Sequence, residues 1–134
     1  MVVIVPIYAG LFALIYIYLA TRVIGLRRTF RVALGHSGHS KLERAQRAHG
    51  NFAEYVPFAL LLITFIEMRG TNVLVVHLLC LFLLVARALH AYNVSKEREN
   101  IRLRVVAMTT TFGVYGVAAA ILVFGGFIRA AGGM

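Results

Sequence analysis

The chain has 134 residues, of which 60% are hydrophobic and 14% charged, and its mean hydropathy is +0.83. That is one domain's length, with far fewer charges than the roughly 25% a soluble domain carries, which excludes an ordinary water-soluble fold. The formal net charge of +9 comes from 14 Lys and Arg against 5 Asp and Glu, and its distribution, described below, argues against a nucleic-acid partner.

Residues 1–21 hold no charged side chain, and residues 70–86 and 105–128 hold none either. Each block approaches or exceeds the ~17–25 residues a helix needs to cross a bilayer core. A fourth block, residues 48–66, is interrupted among charged residues by Glu54 alone. The first block has no basic leader and is followed by arginines, so it is expected to be a retained helix rather than a cleaved signal. The predicted architecture is all-α: an integral membrane antiparallel four-helix bundle forming a single domain over residues 1–134, with helices at about 2–28, 41–68, 71–94 and 99–129.

In chain order, helix one carries Pro6 near its start, where a missing N–H costs little. The segment 22–47 that follows holds Arg22, Arg27, Arg28, Arg31, Lys41, Arg44 and Arg47 against Glu43, and its Gly35-His36-Ser37-Gly38-His39-Ser40 run predicts a turn. His36 and His39 have no further ligand nearby, so no metal site is expected. Arg69-Gly70-Thr71-Asn72 predicts a tight turn between helices two and three. The segment 87–104 holds Arg87, Lys96, Arg98, Arg102 and Arg104. Two connections thus carry most of the basic residues, and the positive-inside rule places both in the cytoplasm and both termini on the opposite side. Cys80 lies alone in the third block, and His77 is expected to be a hydrogen-bonded core or interfacial residue.

Charged side chains inside membrane helices are costly and point to function. Arg44, Arg47, Asn51 and Glu54 recur at spacings of three, four and three, which puts them along one face of helix two. That face suits either a salt-bridged interhelical network or a polar ligand. Arg87 and His90, one turn apart at the end of helix three, fit either snorkelling to headgroups or a site. Helix four aligns Arg104 with Met108, Thr111 and Tyr115, while Arg102 points nearly opposite. Thr111 and Tyr115 are open to pairing with backbone carbonyls or with each other. The shared location of these groups at the cytoplasmic end suits a flexible polyanion with an amine, such as glutathione.

The run from Glu43 to Phe58, Glu-Arg-Ala-Gln-Arg-Ala-His-Gly-Asn-Phe-Ala-Glu-Tyr-Val-Pro-Phe, closely resembles the second-helix signature of the MAPEG family, the membrane-associated proteins in eicosanoid and glutathione metabolism. Arg87-Ala88-Leu89-His90 resembles the family's third-helix segment, and the resemblance, nearest to bacterial inner-membrane members, covers essentially the whole chain. It implies a homotrimer in the inner membrane with glutathione as co-substrate, held between subunits by Arg47, His49, Asn51 and Glu54 with Arg87 and His90 as a wall, and with Arg22 donated by a neighbour. It also implies that Arg104 activates the thiol. The expected function is a glutathione transferase acting on a lipophilic electrophile delivered through the lipid, or a peroxidase acting on a lipid hydroperoxide. A non-enzymatic lipid-binding or scaffold protein of the same fold is the alternative. A small transporter is disfavoured because no central helix is broken by glycine.

Overall fold

The computed structural model describes residues 1–132. They form four helices: α1 (Ile4–Phe30), α2 (Ser40–Met68), α3 (Val73–Val94) and α4 (Ile101–Gly132). All four are long and apolar enough to cross a membrane. Helix α1 runs two residues past its expected end, closed by Arg31 in the left-handed conformation at φ 56°. Within the loop 31–39, the Arg27 guanidinium donates to the Ala33 carbonyl at 2.7 Å, and the Phe30 ring stacks on His39.

Among the described residues α2 packs on all three other helices, whereas α1 and α4 do not touch. The arrangement is therefore two triangles, α1-α2-α3 and α2-α3-α4, sharing the α2–α3 edge, rather than the closed square of a simple up-and-down bundle. Around the perimeter the α1/α3 flank lies opposite the α2/α4 flank. The core between them is built from Phe12, Phe52, Val56, Ile63, Ile66, Val76 and Leu83, with Ala48, Ala59 and Cys80 allowing close approach. Of the α4 span only 17% is buried, so most of that helix faces outward, as an apolar helix in lipid can.

Polar pairings fix which ends meet. The Glu67 carboxylate, buried at the end of α2, accepts the N–H groups of Val3, Ile4 and Val5 at 2.7, 2.6 and 2.9 Å. It satisfies donors that a helix start leaves unpaired and meets the positive end of the α1 dipole. At the other end of the bundle Lys41 pairs with Glu97 at 3.7 Å, which brings both basic connections to one side. Asn72 caps α3 by accepting the Leu74 N–H at 2.8 Å. The turn into α4 is held by buried Asn93, which exchanges two 2.9 Å hydrogen bonds with the backbone of Asn100. Asn100 in turn caps α4 through Arg102 and Leu103. His77 meets the Tyr8 hydroxyl at 3.3 Å, as expected of a hydrogen-bonded histidine.

Replacing Glu67 with alanine leaves three amides without their acceptor and is expected to lower stability in detergent by about 2 kcal/mol or more, read from unfolding midpoints. Glu97→Ala removes an exposed ion pair and should cost less than about 1 kcal/mol. Equal effects of the two substitutions would show that the Glu67 contacts contribute little.

Candidate functional site

Helix α2 presents its polar residues in two directions. Asn51 turns inward to Arg87, while Arg47 and Glu54 stay exposed on the outer surface. At 1.5 Å per residue, Glu54 lies about 15 Å further along the helix than Arg44, well inside an apolar span. Among the described residues the ion pairs are Lys41–Glu97 and Arg104–Glu99, and Glu54 has no cationic partner there.

Arg87 does not snorkel. It is fully buried, against the alternative that it reaches the headgroups, because α2 and α4 close over it and supply its acceptors. One guanidinium nitrogen donates to Asn51 Oδ1, and another lies 3.4 Å from Thr111 Oγ1 and 3.5 Å from Met108 Sδ. The guanidinium carbon sits 5.2 Å from the centroid of the Tyr55 ring, within cation–π range. Among the described residues its Nε has no hydrogen-bond partner, nor has Nδ1 of the buried His90. Thr111 also donates to the Ala107 carbonyl and Tyr115 to the Tyr55 carbonyl, at 2.9 and 2.6 Å, so both hydroxyls are satisfied by backbone.

The open polar cavity lies on the α2/α4 flank, at the end carrying the basic connections. It has a volume of about 450 Å³ and is lined by Ser40, Glu43, Arg44, Arg47, Val94, Glu99 and Arg104. Arg44 points towards the Val94 carbonyl at 3.5 Å, and Arg104 pairs with Glu99 at 3.2 Å. A second cavity of about 350 Å³ adjoins it along α4, where Arg104 and Glu99 meet Ile101, Val105, Met108, Thr109 and Phe112. Arg104 thus stands at the junction of a charged chamber and an apolar one.

The expected site residues are therefore distributed over different parts of the bundle. Arg47 and Arg104 line one cavity, and Glu54 is exposed on the same helix as Arg47. Asn51, Arg87 and His90 lie behind them in the bundle, with neither Arg87 nor His90 lining that cavity. His49 faces α1, where its ring lies 4.8 Å from that of Tyr16 and its Nε2 has no partner. Arg22 is on the opposite flank, donating to the Ser95 carbonyl at 3.3 Å. Ser40, Glu43 and Glu99 also line the polar cavity without having been singled out. Glu99 carried a signal, since it precedes Arg104 by five residues across a helix start, within reach of its side chain.

If Arg87 holds Asn51 in place, the two should be energetically coupled. Asn51→Leu alone leaves a buried guanidinium short of an acceptor and is expected to cost about 3 kcal/mol or more, by the rule for broken buried charge pairs. The Asn51→Leu/Arg87→Met double variant should cost less than the sum of the singles by about 1 kcal/mol or more in detergent unfolding. Strict additivity would refute the coupling.

Comparison with known proteins agrees with this architecture. The chain is 42% identical over 86 residues to the inner membrane protein YecN of Escherichia coli K12, and equally to YecN of Escherichia coli O6:H1. The match covers 64% of this chain and 66% of the relative, just under two thirds of the relative's length. The model of the MAPEG family matches residues 5–124, a stretch that includes all the membrane-facing polar residues described above, and the chain belongs to that family.

Proposed function

We propose that this protein is a glutathione-dependent membrane transferase that works as a homotrimer, with both basic connections in the cytoplasm and the termini on the far side of a bacterial inner membrane. The observation that carries the reading is the exposed polar face of α2. A carboxylate facing outward about 15 Å along a membrane helix from Arg44 is too costly to leave against lipid. A second subunit covering Glu54 and Arg47 would bury them together with a ligand. Glutathione, with two carboxylates and an ammonium, complements Arg44, Arg47 and Glu54 as a set.

The chemistry follows from the position of Arg104. A thiol with an ordinary pKa near ~8.5 is mostly protonated at neutral pH, and an adjacent guanidinium favours the thiolate. The thiolate sulfur attacks an electrophilic carbon, a C–S bond forms, and the leaving group departs with its electron pair, while the thiol proton passes to solvent. The apolar chamber beside Arg104 would hold a lipophilic partner that enters sideways from the bilayer, so that the two reactants meet without a search in water. With a lipid hydroperoxide the same thiolate would cleave the O–O bond. A second glutathione then completes the reduction, giving an alcohol, water and the glutathione disulfide.

One observation favours the non-enzymatic lipid-binding reading: Glu99 neutralises Arg104 at 3.2 Å. The two readings separate in one experiment, conjugation of a generic aryl halide by the purified trimer. Arg104→Ala should lower kcat about 10²-fold, as for loss of a single charge-stabilising donor, with a much smaller change in glutathione affinity. Arg102→Ala, exposed on the opposite face of the same turn, should change neither. Glu99→Gln frees the guanidinium and should raise the rate. Conjugation that is absent in the parent protein and all three variants, despite intact trimers, would favour the scaffold. A monomer that binds glutathione with full affinity would refute the intersubunit site.

A further inference from the structure

The α1/α3 flank, opposite the polar cavity, carries its own groove of about 370 Å³ lined by Ile15, Tyr18, Leu19, Arg22, Ala88, Ala91, Tyr92, Ser95 and Lys96. Its chemistry is ordered by depth. Arg22 and Lys96 stand at the mouth, at the level where α3 ends. Tyr18 and Tyr92 come one turn deeper, both well exposed. Ile15 and Ala88 form the floor and wall about one further turn in, roughly 10–12 Å from the mouth at 1.5 Å per residue.

Neither mouth cation belongs to an ion pair among the described residues. Arg22 spends one donor on the Ser95 carbonyl, leaving the rest of its guanidinium for another acceptor, and the Lys96 ammonium lies 4.1 Å from the centroid of the Tyr92 ring. Two cations, then two aromatic hydroxyls, then an apolar slot match, in the same order, a phosphate, the glycerol ester region and an acyl chain.

We propose that the α1/α3 groove is a specific site for an anionic glycerophospholipid, with the phosphate between Arg22 and Lys96 and one acyl chain lying over Ala88 and Ile15. The small side chains of Ala88 and Ala91 provide the depth for the chain, and the paired cations select a net negative lipid over a zwitterionic one. The groove shares no lining residue with the polar cavity of the same chain, and a lipid phosphate on Arg22 replaces the intersubunit role that the family resemblance implies for that residue.

The test is lipid retention by the full-length protein in mild detergent, read by native mass spectrometry after exposure to an equimolar mixture of phosphatidylglycerol and phosphatidylcholine, without glutathione. The parent should retain phosphatidylglycerol preferentially. Since each basic residue near a membrane surface contributes on the order of a fivefold preference, Arg22→Gln/Lys96→Gln should reduce phosphatidylglycerol retention by about tenfold or more. Lys96→Gln alone, at an exposed position, should reduce it severalfold and keeps the test informative if the double variant misfolds. Ala88→Trp, which fills the slot and leaves both charges, should also reduce it. Arg98→Gln, at the same end but outside the groove, should not. The proposal is overturned if the two lipids are retained equally, if Arg98→Gln matches Lys96→Gln, or if millimolar inorganic phosphate displaces the lipid, which would mark a site for the free anion.

Discussion

A guanidinium removed from water inside an apolar bundle is tolerable only when its N–H groups find acceptors, and the α2-α3-α4 triangle of this protein is organised around that requirement at Arg87. The side chain starts on α3 and is met by Asn51 from α2, by Thr111 and Met108 from α4, and by the ring of Tyr55. No carboxylate takes part, so the interactions that hold the charge are neutral dipoles and a π face, each individually modest. Their convergence from two other helices constrains how α2 and α4 approach α3. The same convergence lies on the α2–α3 edge, and these two helices, unlike α1 and α4, each touch every other helix.

With Asn51 engaged inward on Arg87, the charged groups on either side of it, Arg47 and Glu54, are left to the outer surface. This is why Arg47 and Glu54 stand exposed on a helix that is otherwise fit for lipid, and why the polar cavity opens sideways between α2 and α4 instead of being enclosed. Arginines also close the end of α3, which has no basic residue in its own last turn. Arg44 from α2 and Arg22 from α1 approach the carbonyls of Val94 and Ser95 from opposite flanks. The negative end of the α3 dipole is thus answered by neighbouring helices. One arginine is thereby placed in the polar cavity and the other in the groove across the bundle.

The four helices were legible because uncharged blocks of membrane length leave little freedom, and the ends shared by the two basic connections followed from charge asymmetry. The one-face alignment of Arg44, Arg47, Asn51 and Glu54 was also legible from spacing, but its division was not. Residues three or four apart sit some 40–60° from one another around a helix axis, enough for Asn51 to reach the core while its neighbours face outward. Arg87 was ambiguous for a related reason: whether a long cation at a helix end bends towards water or towards the bundle depends on acceptors supplied from residues 36 positions before it and 24 after it. Glu67 gave no sequence signal as a cap, since its donors lie more than 60 residues away. His49 and Arg22 were read from motif position, which carries no information about the flank each would occupy.

The Glu67 contact imposes an order in time as well as in space. During synthesis the first helix is complete some forty residues before its N-terminal amides acquire the carboxylate that satisfies them, because that carboxylate is among the last residues of the second. Until then the start of α1 must be held by water or headgroups at the membrane surface, and it cannot sink deeper. Once residue 67 arrives, a buried carboxylate and the three N–H groups of Val3, Ile4 and Val5 are satisfied together. The first two helices then become a closed pair tied at the non-basic end of the bundle.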